Sequence, residues 1–366
     1  MEEKKTVLLG MSGGIDSSIS AYLLKQKGYR VIGVTMQTYN EDEPNDSLSL
    51  LKSGCYGPAA KNSILSAQKL AETFSIEHHV IPLYAEFQRE VLDYFRSEYL
   101  KGRTPNPCVR CNQMLKFGFL MKYARNLGID FDYFATGHYC RIEKNDDGIF
   151  LKKALDPKKD QTYFLSRLKK EQLENLIFPL GELSKDDVRE IARELNLREL
   201  LEKSESQDFI AADSYSVLFK PEDGVAGEIH DLSGKVIGHH KGLINYTIGQ
   251  RRGVGLGGAA QPLYVVGIDT EKNVLTVGDK EALLSSQFHI SDPNWFIDLE
   301  RKPSEFTSQV KIRQTARAVN AMVSYDKDSE VFRVKLMEPQ SAVTPGQIAV
   351  FYDGDILIGS GIIERD

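Results

Sequence analysis

Residues 10–18 read GMSGGIDSS, and they decide how the first part of the chain folds. The apolar run before them, residues 7–9, predicts a buried strand. Residues 18–27 place apolar side chains at helical spacing, and Gly28 follows as a plausible stop. Residues 30–36 predict a second strand. The sequence therefore predicts a strand, a glycine-rich turn, a helix and another strand.

The turn has the composition of an anion-binding loop. Gly13 and Gly14 lack a Cβ atom, so the backbone can approach a ligand closely. The amides and dipole of the following helix favour negative charge there, and Ser12 and Ser17 add hydroxyl donors. Asp16 is unusual in a phosphate cradle because a carboxylate repels phosphate, so we expect it to hold Mg²⁺ or to order the loop. The stretch has neither the Walker P-loop pattern nor the usual dinucleotide fingerprint.

A first strand followed by Ser-Gly-Gly-x-Asp-Ser resembles the PP-loop of the ATP pyrophosphatases. The resemblance implies that ATP is cleaved between its α- and β-phosphates and that a carbonyl oxygen is adenylated. A glycine turn that binds no ligand is the alternative interpretation. The register of glycines, hydroxyls, strand and helix argues against that alternative.

Length, charge and cysteine content narrow the class of protein. A chain of 366 residues predicts two or three domains. Four cysteines do not make a disulfide framework, so we expect a reducing cytoplasm. We expect no membrane partner, because no apolar run approaches the ~20 residues of a membrane span. The net charge of −6 argues against general nucleic-acid binding, yet residues 99–129 contain Lys and Arg without Asp or Glu.

Residues 104–112 read TPNPCVRCN and form the second chemical motif. Its two prolines favour an extended approach, and a helix is predicted over 113–126. A cysteine just before a helix N-terminus, near Arg110, is expected to have a lowered thiol pKa. Thiolate is the nucleophilic form. Cys108-x-x-Cys111 also suits a disulfide couple or half of a metal site, although a complete zinc or iron–sulfur site needs further ligands.

The order of elements predicts the fold class. Strands alternate with helices as far as residue 142, which indicates an α/β domain with a doubly wound parallel sheet. Ligands of such a sheet bind at the carboxyl ends of its strands, where residues 12–17, Met36 and residues 137–138 fall. After residue 204, short β-like runs with glycine turns predict a small central β-rich domain and a C-terminal β-barrel. We therefore divide the chain into 1–204, 205–285 and 286–366.

Taken together, several motifs resemble the bacterial tRNA-specific 2-thiouridylases over nearly the whole length. The resemblance implies that ATP, with Mg²⁺, adenylates O2 of the wobble uridine at position 34 of certain tRNAs. A cysteine persulfide then supplies sulfur to C2, and AMP and pyrophosphate are released. It also implies a persulfide donor as partner, such as a cysteine desulfurase or a sulfur relay protein, and a central domain that binds tRNA. The motifs are residues 10–18, 106–112, 135–139, 159–161, 246–251 and 344–347.

The resemblance assigns site residues by position. Cys111 matches the first catalytic cysteine of the family, with Cys108 and Asp16 as further catalytic candidates. The ATP site is matched by Gly10, Met11, Ser12, Gly13, Gly14, Ile15, Asp16, Ser17, Met36 and Gly137. The tRNA contacts are matched by Asn106, Pro107, Cys108, His138, Lys159, Asp160, Gln161, Arg313, Gln314 and Gln347.

The cysteine pattern departs from the family at two positions. Many members have Asp where this chain has Cys108. The second catalytic cysteine, which carries the persulfide and can pair with the first, is expected before residue 209, where Asp208 stands instead. We hypothesise that Cys108 replaces the missing partner and that it handles persulfide and disulfide locally with Cys111. The alternative is an iron–sulfur cluster on Cys108 and Cys111, with Cys55 or Asp208 as third ligand.

Two other functions remain open at this stage. The first is a PP-loop ligase that adenylates a small carboxylate or amide for attack by nitrogen, and the cysteine pair and barrel argue against it. The second is a tRNA-binding paralogue without chemistry, which Asp208 suggests. The intact residues 10–18 and Cys111 argue against the loss of catalysis.

Overall fold

A computed structural model describes residues 4–40, 42, 55–58, 60–146, 148–202, 209–210, 215–256, 261–299, 303–326 and 330–365. The interpretation of Asp208 lies outside these described residues. Within them, no helix has both the length and the apolar character needed to span a membrane.

Strands and helices alternate in the N-terminal part of the chain, as predicted. Two π-helical segments cover Gln88–Asp93 and Asn112–Phe119. A 3-10 helix covers Lys170–Asn175. The elements are β1 Thr6–Gly10, α1 Ile15–Gln26, β2 Arg30–Gln37, α2 Ala60–Thr73, β3 Glu77–Pro82, α3 Tyr84–Phe87, α4 Tyr94–Leu100, α5 Pro107–Cys111, α6 Leu120–Asn126, β4 Tyr133–Thr136, β5 Cys140–Asn145, β6 Gly148–Lys153, α7 Thr162–Leu165, β7 Leu176–Ile177, α8 Lys185–Glu194 and α9 Arg198–Glu202.

The first sheet has the strand order β3-β2-β1-β4-β7, and its neighbouring strands are parallel. Gly10 at the end of β1 pairs with Val34 on β2 and with Thr136 at the end of β4. The carboxyl ends of these strands therefore meet at one edge of the sheet. The predicted parallel sheet is confirmed, whereas the ligand site expected at this edge stays a prediction.

Apolar side chains fix the helices around β1. Val7 and Leu9 are fully buried, in one cluster with Ile19 of α1 and Val188 of α8. Burial of each such side chain is worth roughly 1.5–3 kcal/mol. The α8 helix begins at Lys185, where the Ser184 hydroxyl accepts a hydrogen bond from an amide in its first turn. The same core thus holds the starts of α1 and α8 in place.

The C-terminal part of the chain is built from β-strands, as predicted. The strands are β8 Gly227–His230, β9 Val236–His240, β10 Tyr264–Asp269, β11 Val274–Gly278, β12 Leu284–Trp295, β13 Glu305–Lys311, β14 Val319–Asp326, β15 Val331–Ser341, β16 Ile348–Asp353 and β17 Ile356–Glu364. One sheet has the order β10-β11-β8-β9, and a second series, β12-β15-β14-β13-β16-β17, closes into a barrel through the pairing of β12 with β17. Short 3-10 helices cover Tyr215–Leu218, Pro221–Asp223, Leu243–Asn245 and Glu281–Leu283.

The chain separates into two compact units. The first comprises Met1–Val91, Cys108–Ala212 and Asp355–Leu357, and the second comprises Leu92–Pro107, Asp213–Gly354 and Ile358–Asp366. The α4 helix and the residues up to Pro107 thus belong to the second unit, whereas Cys108 belongs to the first. The three domain limits stated above stay a prediction.

Candidate active site

The glycine-rich turn between β1 and α1 is built to accept an anion. Gly13 has a φ of +70°, and a Cβ atom there would lie 2.5 Å from Ser63 O and 2.6 Å from Ser66 Cβ. Only glycine fits this position. Gly14 is the N-cap of α1, and glycine has no side chain with which to cap the first turn. The first-turn amides can therefore serve a ligand, which is how helix N-termini bind phosphate.

Two serines shape the same turn. The Ser17 hydroxyl accepts the Ser12 N–H at 3.3 Å and donates to Gly14 O at 3.1 Å, and the Ser12 and Ser17 Oγ atoms are 3.4 Å apart. Ser17 is buried and Ser12 is exposed. Both hydroxyls thus line the turn, and the exposed one is that of Ser12. Their assignment to ATP stays a prediction, as do the other site assignments.

Gly137 brings the end of β4 against the start of α1. A Cβ atom at Gly137 would lie 2.9 Å from both the Asp16 carbonyl carbon and Ser17 N. The main chain of residue 137 therefore borders the turn that the sequence assigns to ATP. Its glycine is required for close approach, since side-chain carbons do not reach such distances from backbone atoms.

Asp16 is held by two side chains from distant parts of the sequence. Its Oδ1 atom accepts hydrogen bonds from Tyr139 Oη and Lys185 Nζ, each at 2.7 Å. The Lys185 side chain is only 7% exposed, and its Nζ lies 5.7 Å from the centroid of the Tyr139 ring. Among the described residues, none donates to Asp16 Oδ2. These bonds tie the first turn of α1 to Tyr139 and to α8, and both expected roles of Asp16, ordering the loop and holding Mg²⁺, stay predictions.

Sequence reasoning did not assign a role to Tyr139 or Lys185. Lys185 is the first residue of α8, where the helix dipole disfavours a cation. That unfavourable position is a signal that the sequence does carry, because it indicates that the lysine serves something other than its helix. The partner, 169 residues away, is visible only in the fold.

Three apolar residues assigned to ATP have different surroundings. The side chains of Met11 and Ile15 are buried in the core, so they can reach a nucleotide only through main-chain atoms. The Met11 carbonyl already accepts the Thr35 hydroxyl at 2.7 Å. Met36 is half-buried near the end of β2.

The cysteine pair lies inside a helix. The sequence predicts a helix from residue 113, but the structure begins it at Pro107, where the fixed φ of proline suits a first helical residue. Cys108 and Cys111 are therefore three residues apart on one helical face. Cys108 is half-buried and Cys111 is buried.

The expectation of a lowered cysteine pKa was wrong for Cys111. Burial raises its pKa to about 12, an effect that nearby Lys116 opposes and that Cys55 and Cys108 reinforce. Arg110 does not help, because its guanidinium donates to Glu90 Oε2 at 2.7 Å and to Glu90 O at 3.1 Å. The thiol of Cys111 is thus protonated at neutral pH in this conformation.

A series of hydrogen bonds connects the cysteine helix to the glycine-rich turn. Asn112 Nδ2 donates to Phe164 O at 3.0 Å, and Phe164 N donates to Gln161 O at 3.0 Å. The Gln161 side chain accepts the Tyr139 N–H at 2.8 Å, and Tyr139 in turn holds Asp16. Asn112 Oδ1 is buried without a partner among the described residues, so it can accept an N–H from a ligand. Hydrogen bonds thus link the two motifs within the first unit.

The tRNA-assigned residues of the first unit differ in what they expose. His138 lies between the rings of Phe117 and Phe178, and burial holds its pKa well below the usual value. The Asp160 carboxylate is buried and accepts the Thr162 hydroxyl at 2.8 Å. Lys159 and Gln161 are half-buried. His138 is therefore neutral and the Asp160 carboxylate is buried, so neither presents a positive charge to the phosphates of a polynucleotide.

In the second unit, the assigned residues range from exposed to hydrogen-bonded. Arg313 is exposed, and Gln314 and Asn106 are half-buried, as is Pro107. Gln347 Nε2 donates to Thr104 O at 2.9 Å.

The acid-free stretch 99–129 is partly neutralised by carboxylates from elsewhere. Lys101 and Arg103 pair with Glu98 in the second unit, at 3.0 and 2.6 Å, and Arg110 pairs with Glu90 in the first. Within the described residues, no ion pair involves Lys116, Lys122 or Arg125 of the first unit.

Three family models match consecutive parts of the chain. A tRNA methyl transferase HUP domain matches residues 5–211, a tRNA methyl transferase PRC-barrel domain matches 220–279, and an aminomethyltransferase β-barrel domain matches 285–363.

Full-length relatives are more specific. The tRNA-specific 2-thiouridylase MnmA 1 of Caldanaerobacter subterraneus subsp. tengcongensis is 45% identical over 100% of this chain and 99% of its own. The MnmA protein of Clostridium acetobutylicum is 41% identical over 98% of this chain and 99% of its own. Among solved structures, NMN synthetase from Francisella tularensis is 19% identical with a TM-score of 0.33, over 56% of this chain and 67% of its own. The likeness along the whole length, together with the HUP match, establishes that this chain belongs to the tRNA-specific 2-thiouridylase MnmA family.

Proposed function

We propose that this protein is a tRNA 2-thiouridine synthase, which adenylates O2 of the wobble uridine and replaces it with sulfur. The observation that carries the proposal is the hydrogen-bonded connection between the glycine-rich turn and the Cys108–Cys111 helix within one unit. Activation by ATP and attack by sulfur are two halves of one substitution. A ligase that uses a nitrogen nucleophile would need no thiol beside its ATP site.

The first half of the reaction uses the turn and its cations. The uridine O2 attacks the α-phosphorus of ATP and displaces pyrophosphate. The amides of α1 and the hydroxyls of Ser12 and Ser17 bind the departing pyrophosphate. Lys185, held at Asp16, stabilises the negative charge that develops there. A bound Mg²⁺ would neutralise phosphate charge, and Asp16 Oδ2 fits it because Mg²⁺ commonly takes one or two carboxylates plus phosphate oxygens. Asn112 Oδ1 accepts the N3–H of the uracil.

The second half uses the cysteine pair. The outer sulfur of a Cys108 persulfide bonds to C2, and AMP leaves with the electron pair of the C2–O bond. The Cys111 thiol loses its proton to water as its sulfur attacks Cys108 Sγ. The S–S bond between Cys108 Sγ and the sulfur on C2 breaks with its electron pair on that sulfur, which releases 2-thiouridine and leaves a Cys108–Cys111 disulfide. A dithiol reductant restores both thiols. Residues three apart on a helix have Cβ atoms about 5–6 Å apart, so a small local movement brings them into disulfide contact.

We favour this thiol pair over an iron–sulfur cluster. The described residues contain no group of three or more His, Cys, Asp or Glu side chains placed to hold a metal ion. Iron and sulfide assays on anaerobically purified protein separate the two. Stoichiometric iron and sulfide, lost in Cys108→Ser, would favour the cluster instead.

The test of the function is anaerobic thiolation of unmodified tRNA with Mg-ATP and a persulfide source, with 2-thiouridine measured by mass spectrometry. We expect product from the wild type and none from Cys108→Ser or Cys111→Ser. The matched control is Cys140→Ala, because Cys140 is a buried thiol of the same unit outside the helix. ATP turnover driven by a small carboxylate without tRNA would favour the ligase. Tight tRNA binding without pyrophosphate release would favour a non-catalytic paralogue.

A further inference from the structure

Three thiols of the first unit differ in exposure, and Cys55 is the outermost of them. Cys55 is exposed, Cys108 is half-buried and Cys111 is buried. Burial raises the pKa of Cys111, and charge on Cys55 or on Cys108 raises it further. The three thiols therefore form a graded series from solvent to the interior.

The main chain around Cys55 is fixed although its side chain is exposed. The amides of Cys55 and Tyr56 both donate to Phe209 O, at 2.9 and 3.1 Å. The Thr38 hydroxyl donates to the Cys55 carbonyl. Cys55 is thus held beside Phe209, and the six residues before Phe209, 203–208, contain no cysteine.

A second set of contacts brings Cys55 towards the cysteine helix. The ring of Tyr56 stacks on Phe87, with centroids 5.3 Å apart and planes within 10°. Arg110, between the two helical cysteines, donates to the Glu90 carbonyl at 3.1 Å. Phe87 and Glu90 are three residues apart in one continuous helical segment, so they are neighbours on its surface. Tyr56 and Arg110 therefore dock on the same stretch of helix.

We propose that Cys55 is the thiol at which sulfur enters the site: it accepts sulfane sulfur from the donor and passes it to Cys108. The inference rests on the proposed function, which requires a persulfide at the cysteine pair. An external donor cannot readily reach Cys111, whereas Cys55 faces solvent and has a fixed main chain. The graded exposure of the three thiols places the point of entry at Cys55.

The transfer balances without an oxidant or a reductant. The Cys108 thiolate attacks the outer sulfur of a Cys55 persulfide. A new S–S bond forms between Cys108 Sγ and that sulfur, and the S–S bond at Cys55 breaks. Cys55 leaves as a thiolate and takes up the proton that Cys108 released. One persulfide is consumed and one is formed.

The experiment maps sulfane sulfur on the intact protein. Wild type, Cys55→Ser, Cys108→Ser and Cys140→Ala receive a limiting amount of glutathione persulfide, are quenched with an alkylating agent, and are analysed as peptides by mass spectrometry. We expect sulfur to accumulate on Cys55 in Cys108→Ser. We expect the loading of the Cys108–Cys111 peptide to slow about tenfold or more in Cys55→Ser and to be unchanged in Cys140→Ala.

Two results would overturn the inference: wild-type loading of the helix peptide in Cys55→Ser, or no sulfur on Cys55 in Cys108→Ser. The proposed function is judged separately by 2-thiouridine formation. Thiolation at the wild-type rate by Cys55→Ser would remove the inference and leave the function intact. Sulfur on Cys55 in a wild type that thiolates no tRNA would support the sulfur-entry thiol and remove the function. Single-turnover pyrophosphate release by Cys55→Ser, at the wild-type rate, is the check that its ATP site is unaltered.

Discussion

Replacing Gly137 with alanine tests whether close approach of β4 to α1 shapes the ATP site. The added Cβ would lie 2.9 Å from the Asp16 carbonyl carbon and from Ser17 N, and 3.1 Å from Asp16 O. All three are backbone atoms, so no flexible side chain can move away. The end of β4 and the first turn of α1 must separate instead.

The size of the effect follows from these distances. Ordinary carbon contacts begin near 3.5 Å, so the main chains must separate by about 0.5 Å. Overpacking of this kind costs about 1–3 kcal/mol of unfolding free energy. Because a misplacement of about 1 Å near a reacting centre can cost ~10²-fold in rate, we expect about a tenfold loss of kcat.

The assay is tRNA-dependent release of pyrophosphate, with urea unfolding measured in parallel. The matched control is Gly224→Ala in the second unit, where the nearest atom to a Cβ is Pro221 O at 3.5 Å and φ is −94°. We expect the control to change unfolding by no more than about 0.5 kcal/mol and to leave kcat unchanged. Wild-type kcat and stability in Gly137→Ala would refute the reasoning that this contact shapes the site.

Three further predictions use single side chains. Lys185→Met should lower the rate of pyrophosphate release by about 10²-fold or more, because a preorganised charge is lost; retention of full kcat would contradict its role. Burial raises the pKa of Glu364, but hydrogen bonds from Arg103 and Ser291 outweigh this effect and lower the pKa below the usual 4.5. The Arg103–Glu364 ion pair therefore stabilises the fold fully above pH 4.5, and this contribution is lost as the pH falls through the lowered pKa. Urea unfolding below pH 4.5 should therefore depend less on pH in Glu364→Gln than in the wild type, and an equal dependence would count against the pair. With a pKa raised by burial from 9.0 to about 12, Cys111 should hold about a thousandfold less thiolate at pH 7.5 than an ordinary thiol. Its alkylation should therefore be slow at pH 7.5 and should still accelerate above pH 9, which time-resolved peptide mapping can check.

Local chemistry allowed much of the fold and part of the site to be predicted. A turn with two glycines, the apolar run before it and short β-like runs with glycine turns each depend on neighbours within a few positions. The parallel sheet and the edge where Gly10 and Thr136 end follow from the order of those elements. The start of the cysteine helix was placed too late, because Pro107 can begin a helix as well as interrupt one.

The sequence by itself determined the glycine-rich turn, the class of sheet, the barrel that follows and the pair of cysteines three residues apart. Only the tertiary structure decided which charges those groups meet. Lys185 bonds to Asp16, which is 169 residues away in the sequence. Arg110, which was expected to lower the pKa of a neighbouring cysteine, is paired with Glu90 instead. The reason is that ion pairs and thiol pKa values depend on burial and on neighbours brought together by folding, whereas turns and helix starts depend on adjacent residues.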